Sequence, residues 1–366
     1  MSPGRHPRLL SCVGATAAAI ILVGCGDATQ SSAAPGEAGS ASSAAPASRV
    51  APPSASDAAV AVVAHPDPQA LLASDDPALA ANKRLVFDMW RTMLNAGHLE
   101  RADDFVAEDY IQHSPFQRSG RQALKDVFAV IPRSETVPET MRPPPVAFVA
   151  EDDLVVFVAV EELPEPDGAG SYTTTHFNLF RIRAGRLAEH WHPDQTPPCP
   201  DLPAADAGGP QPVTGAAGSG QIALLEAASP ALAVNKRLVF DYWRQIAAAG
   251  REELAPLYLA RDYIEHSPAR ATGLAATMAY LANREDRPIG MWLDSELVAV
   301  IAEGGLVVLV TRLELPNPYQ PGATYTTASF DMFRIADGRI AEHWDAAVKP
   351  GTEVEEFGAT CGAAAE

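Results

Sequence analysis

The sequence predicts an α+β protein built from two tandem copies of one domain. Three observations predict it: an internal repeat, a change of hydrophobic period within each copy, and turn residues between the apolar runs. The segment Asn82-Lys-Arg-Leu-Val-Phe-Asp88 recurs unchanged from Asn235 to Asp241, an offset of 153 residues. The same offset relates Tyr110 to Tyr263, His113 to His266, Gly120 to Gly273 and His190 to His343. A period this long marks repeated whole domains rather than a solenoid. With 366 residues, 47% of them hydrophobic, the chain holds apolar material for two cores and a long irregular segment.

Each copy opens with a helix whose apolar stripe is Leu85, Val86, Met89, Trp90, Met93 and Leu94, matched by Leu238, Val239, Tyr242, Trp243 and Ile246. Gly97 and Gly250 are stop signals. A short helix, the extended segment 109–115 and a helix after Gly120 follow. The period then changes. Runs at 154–160, 172–183 and 186–191 are rich in β-branched and aromatic residues and read as strands. Asp337-Gly338 is a hairpin turn, and Ala184-Gly185 takes its place in the first copy. Helices followed by antiparallel strands give helices packed on one face of a sheet.

The flanking segments read differently. Arg5, His6 and Arg8 precede an apolar stretch from Leu9 to Val23, the pattern of a secretory signal. Leu22-Val23-Gly24-Cys25 resembles the bacterial lipobox, which makes Cys25 the expected lipidation site and mature N-terminus. The resulting division is 1–24 signal peptide, 25–74 tether rich in Ala, Ser and Pro, 75–198 first domain, 199–228 linker, 229–349 second domain and 350–366 tail. Acyl chains on Cys25 would hold the protein at the cell envelope. Gly26, rather than Asp, after the cysteine favours an outer membrane where the cell has one. Of four cysteines, Cys199 and Cys361 would remain in the mature chain, as one disulfide or as two thiols. A formal net charge of −19, from 27 basic and 46 acidic residues, argues against nucleic acid as a partner and against adsorption to anionic lipid.

Asp109-Tyr-Ile-Gln-His-Ser-Pro115 and Asp262-Tyr-Ile-Glu-His-Ser-Pro268, with Ala188-Glu-His-Trp191 and Ala341-Glu-His-Trp-Asp345, resemble in order and spacing two segments of the SnoaL-like polyketide cyclase family. That family belongs to the superfamily of nuclear transport factor 2 and ketosteroid isomerase. The resemblance implies two cone-shaped domains, each with a curved antiparallel sheet around an apolar pocket, and sheet-to-sheet pairing of domain 1 with domain 2 as an intramolecular pseudo-dimer. It implies either binding of a small apolar molecule or carbonyl acid–base chemistry of the aldol cyclase or isomerase type. The alternative is a non-catalytic interaction module, because the fold alone does not establish catalysis.

Such chemistry needs a base for a carbon-bound proton and a donor for the enolate oxygen. Strand alternation puts His343 and Asp345 on one face, with His266 as a third member if its segment covers the pocket mouth. In domain 1 the catalytic candidates are His113 and His190, while His192 replaces the aspartate. Tyr110, Trp90, His176 and His192, with Tyr263 and Trp243, are the expected ligand-binding residues. Glu189 and Glu342 alternate to the opposite face and stand outside the set. His113, His176, His190 and His192 could converge as zinc ligands, but their spacing has no diagnostic motif, so no metal and no cofactor is expected.

Overall fold

The structure, a computed structural model, describes residues 59–352. The signal segment, Cys25, the tether up to residue 58 and Cys361 lie outside the described residues. Among the described residues no helix is long and apolar enough to cross a membrane. Cys199 is disulfide-bonded.

Domain 1 begins with α1 (Pro77–Met89), where the Asp76 carboxylate accepts from the Ala78 amide at 2.8 Å and Pro77 needs no donor. The helix widens into a π-type turn over Trp90–Asn95 and stops near Gly97, at φ 69°, where a Cβ would lie 2.7 Å from the Pro132 carbonyl oxygen. α2 (Ala102–Phe105), β1 (Val106–Gln112), α3 (Arg121–Phe128), β2 (Pro145–Glu151), β3 (Leu154–Pro164), β4 (Ser171–Arg183) and β5 (Arg186–Trp191) complete it. Domain 2 repeats the order as α4 (Pro230–Tyr242), α5 (Ala255–Tyr258), β6 (Leu259–Glu265), α6 (Leu274–Leu281), β7 (Leu297–Glu303), β8 (Leu306–Pro316), β9 (Thr324–Ala336) and β10 (Arg339–Asp345). The turn pairs Ala184-Gly185 and Asp337-Gly338 all have positive φ, as hairpin turns of this kind require.

The sheets are ordered β1-β5-β4-β3-β2 and β6-β10-β9-β8-β7. β1 and β6 pair parallel to β5 and β10, so the extended segments are strands and each sheet is mixed rather than wholly antiparallel. Both faces of each sheet are covered. On β3, Val155, Phe157 and Ala159 face the helices while Val156 and Val158 face the other sheet. On β8, Val307 and Leu309 face helices and Val308 and Val310 face the first sheet. Continuous apolar runs follow from this double burial. The inter-sheet core joins Val149, Phe177, Leu179 and Trp191 to Ile301, Phe330, Met332 and Trp344.

Polar contacts secure this seam with near two-fold symmetry. Lys83 of α1 reaches Glu303 of β7 at 2.8 Å, and Lys236 of α4 reaches Glu151 of β2 at 2.7 Å. The second oxygens of these glutamates accept from the Ala150 and Ala302 amides at 2.9 and 2.8 Å. The segments before each domain also cross over. Val60 donates its amide to Glu265 of domain 2, Val62 enters the inter-sheet core, and His65 donates to Pro145 of domain 1. Gln211 donates to Gln112 of domain 1, Val213 enters the core, and Ala216 pairs with Leu297 of domain 2. Each arm therefore straps its own domain to the other.

Candidate functional site

The chemistry-bearing side chains collect on the helix-covered face, at the ends of β1 and β5, in the middle of β4, and at their counterparts. In β1 and β6 alternation turns Tyr110 and Gln112, and Tyr263 and Glu265, inward. Parallel pairing sets Gln112 beside His190 and Glu265 beside His343. The imidazoles lie over Phe180 and Phe333, with ring centroids 4.7 and 4.8 Å apart.

In domain 2 the result is a buried charged network. His343 donates from Nδ1 to Glu265 Oε1 at 2.8 Å and from Nε2 to Asp331 Oδ1 at 3.0 Å. Tyr263 and the Ser267 amide also donate to Glu265, at 3.0 and 3.1 Å. Burial disfavours the charge on His343, but Glu265, then Asp331, more than offset it and raise the imidazole to about 10. Burial pushes Glu265 up, yet the facing imidazolium leaves it below the usual carboxylate value. Burial raises Asp331 despite its bond to His343. Asp345 accepts from the Ala347 amide through Oδ1 at 3.1 Å. Its Oδ2 has only the Arg270 guanidinium, 3.9 Å away and beyond hydrogen-bond reach. The end of this strand is held from across the seam, where Thr175 donates to the Asp345 carbonyl at 2.8 Å.

Domain 1 keeps the geometry and removes the charge. Gln112 replaces Glu265, Asn178 replaces Asp331, Gln117 replaces Arg270 and His192 replaces Asp345. Gln112 Oε1 accepts from the His113 and Ser114 amides, both at 3.0 Å, so its oxygen end faces His190 Nδ1 at 3.1 Å and that nitrogen carries the proton. His190 Nε2 lies 2.9 Å from Asn178 Oδ1, while Asn178 Nδ2 is buried without a partner. Turning this amide over gives both groups a proper bond, with Nδ2–H donating to the Nε2 lone pair. Burial, aided by His176 and His113, depresses His190 to about 3. Burial also lowers His192, whose Nε2 lies 3.2 Å from that of His176.

Several expected partners separate. His176, His190 and His192 come together, but His113 does not join them. It stacks on Trp191 at 4.7 Å on the inter-sheet side, and its ring nitrogens lie 3.1 and 3.0 Å from Gln211 O and Glu189 Oε1. His266 likewise stacks on Trp344 and bonds Val60 O and Glu342 Oε2 at 3.0 Å each, away from His343 and Asp345. The cause is parity, for each follows an inward residue by one position. Glu189 and Glu342, placed on the opposite face by alternation, are their partners there. Tyr110 and Tyr263 are buried beside the clusters, and Trp90 and Trp243 form walls edge-on to Phe157 and Phe333. Sequence reasoning missed Glu265, Asp331, Arg270, Gln112 and Asn178. Asp331 carried a signal, a carboxylate set between Phe330 and Met332-Phe333 in a strand run. A separate surface cleft of about 560 Å³ beside α3 has mixed charge, from Asp103, Glu108, Arg118 and Lys125.

The comparisons with known proteins bear on this geometry. Residues 87–190 match the model of the SnoaL-like domain, and domain 1 is a SnoaL-like domain. Domain 2 shares its strand order. Among curated proteins none matches the chain. Solved structures similar to it include a candidate polyketide cyclase from Acidithiobacillus ferrooxidans, 16% identical, covering 31% of this chain and 86% of that one, with a TM-score of 0.24. A candidate SnoaL-like polyketide cyclase from Jannaschia sp. CCS1 is 19% identical, covers 33% and 89%, and has a TM-score of 0.25. An LEH-like epoxide hydrolase from M. tuberculosis is 18% identical, covers 31% and 76%, and has a TM-score of 0.23. Likenesses of this size carry no functional argument. The SnoaL-like fold, with a polar cluster on its helix-covered face, supports a ligand-binding or catalytic role.

Proposed function

We propose that domain 2 binds a small apolar carbonyl compound and performs acid–base chemistry on it, with Asp345 as the base that takes a carbon-bound proton. The observation that carries this reading is Asp345, a largely buried residue whose Oδ1 takes the Ala347 amide and whose Oδ2 has no hydrogen-bond donor among the described residues, with the Arg270 guanidinium 3.9 Å away and the His343 imidazole in the same cluster. His343 donates from both nitrogens and has no lone pair to offer, so it serves as positive charge rather than as base. Arg270, with 36% of its side chain exposed, is placed to stabilise a developing enolate oxygen. In domain 1 the groups that meet His190 are the neutral amides of Gln112 and Asn178, which favours a binding or supporting role for that copy. We propose also that lipid on Cys25 holds the protein at the cell envelope.

The test is turnover and thermal-shift binding over a panel of small cyclic and aromatic ketones, with Asp345→Asn as the variant. Ligand binding retained with turnover lowered at least about a hundredfold, the scale of a lost general base, supports the assignment. Turnover equal to that of the parent protein refutes it. Radiolabelled palmitate incorporation lost in Cys25→Ser tests the anchor, and undiminished labelling refutes it.

A further inference from the structure

We propose that Asp331, His343 and Asp345 form a binding site for a divalent transition-metal cation such as Zn²⁺ or Mn²⁺. One donor atom from each lies within 4.8 Å of the other two, and among the described residues this is the one such group of three; the domain 1 histidines do not form another. All three residues are buried, at 4%, 2% and 8% exposure. Two carboxylates and one imidazole suit first-row divalent ions, and three protein ligands leave open positions for water or substrate. Ligand atoms around 2.1 Å from a common ion are separated by roughly 3–3.5 Å, so side-chain rotations closing about 1 Å complete the site.

Three further observations point to a cation. Glu265 holds His343 through Nδ1 at 2.8 Å and is itself held by Tyr263 and the Ser267 amide, the outer-shell support that orients a ligating imidazole and presents Nε2 to a metal. Asp331 accepts one bond through Oδ1 from His343, and its other oxygen has no hydrogen-bond donor among the described residues. The carboxylates of Glu265, Asp331 and Asp345 face His343 and Arg270, which leaves the cluster one charge negative when all five are ionised. Replacing the Nε2 proton of His343 by a divalent ion adds the missing charge, and the displaced proton passes to solvent. Arg270 approaches Asp345 and Glu265 no closer than 3.9 Å, so its flexible side chain can swing outward as the ion enters. Domain 1, with Asn178 and His192 at the two aspartate positions, lacks this donor set.

The proposal rests on the same cluster as the acid–base reading, and the tests separate them. The chelator-treated full chain is titrated with Zn²⁺ and with Mn²⁺ by calorimetry, and bound metal is counted by elemental analysis after dialysis. A single ion per chain is expected, with affinity lowered by more than tenfold in Asp345→Asn and in Asp331→Asn. Glu265→Gln should keep the stoichiometry and weaken binding by about 10–100-fold. A thermal midpoint that rises with metal in the parent protein and not in the variants gives a second readout where Asp331→Asn folds poorly. Absence of a bound ion, or binding that Asp345→Asn leaves unchanged, overturns the site. Turnover that needs Asp345 in the metal-free protein leaves the acid–base reading standing without the metal. Metal bound with no turnover of any ketone does the reverse.

Discussion

The reciprocal Lys–Glu clasps should contribute more to stability than surface ion pairs do, because both ammonium groups are enclosed. Lys83 has 3% of its side chain exposed and Lys236 has 4%, against 20% for Glu303 and 13% for Glu151. Exposed pairs contribute about 0–1 kcal/mol, whereas removing one partner of a buried pair costs about 3–5 kcal/mol, since the other charge is stranded. Glu303→Gln leaves the Lys83 ammonium with the Ala73 carbonyl, 2.6 Å away, as its other acceptor. A cost of about 3–5 kcal/mol follows. Lys83→Met should cost less, about 2–3 kcal/mol, because the Glu303 carboxylate keeps some water and its bond from the Ala150 amide. In the double variant the glutamine introduced at position 303 can still accept from Ala150, and no buried charge is left unpaired. Its destabilisation should therefore fall short of the sum by about 1–3 kcal/mol, the coupling of a contacting pair.

The assay is urea unfolding followed by far-UV circular dichroism. Because Lys83 and Glu303 belong to different domains, the singles should also loosen the coupling between domains, visible as a broadened or split transition. Lys236→Met and Glu151→Gln should reproduce the pattern on the other side of the seam. Single variants within about 0.5 kcal/mol of the parent protein would refute the argument, as would strict additivity, for then the pairs would be behaving as surface charges.

Two other outcomes follow from the packing and the protonation of domain 1. Val62 and Val213 are 2% and 1% exposed in the inter-sheet core, so Val62→Ala and Val213→Ala should each cost about 1–3 kcal/mol by thermal unfolding, and a cost near zero for either would show that its arm is not docked. His190 is held near 3, below its ordinary 6.5, so the unfolded chain binds a proton there that the folded chain refuses. The neutral form's stabilising contribution is therefore full above about pH 6.5 and lost as the pH falls from 6.5 toward 3. Stability measured in urea should drop between pH 6.5 and 5, with His192 acting in the same direction. In Gln112→Glu/Asn178→Asp the imidazole should titrate above neutrality by NMR, and a His190 signal that still titrates near pH 3 would refute the role given to the two amides.

Much of the fold was legible because repetition and period are local signals. The repeat at 82–88, the strand runs and the two glycine-containing hairpins all stood in the sequence. Parallel pairing of β1 with β5 did not, since it joins residues 106–112 to 186–191 through no short turn. Nor did β2, a short apolar run lying between Pro143-Pro144-Pro145 and Glu151-Asp152-Asp153. The arms were hidden by composition. Residues 59–65 and 209–216 look like linker, and their order comes from one valine each inserted between the sheets, with backbone bonds to strand ends. At the site, residue type outweighed parity. His266 drew notice as an imidazole, while its neighbour Glu265, which continues the alternation from Tyr263, is the residue that meets His343.

The two domains show how one backbone can hold one histidine in two charge states. In domain 2 the acceptors around His343 are carboxylates, so both ring nitrogens must donate and the imidazole is held charged. In domain 1 amides stand in the same places, one presenting an oxygen and the other able to present an N–H, and neutral His190 satisfies both. Exchanging Glu for Gln and Asp for Asn changes volume little, so packing around Phe180 and Phe333 need not change. What changes is the demand on the remaining space. Domain 2 retains carboxylate oxygens without donors and a net negative cluster, which a proton-bearing substrate or a cation can satisfy. Domain 1 lacks those carboxylates. The difference lies in charge rather than in shape, which is why reactivity is assigned to the second copy while both copies are needed to build the seam that holds its β10 strand.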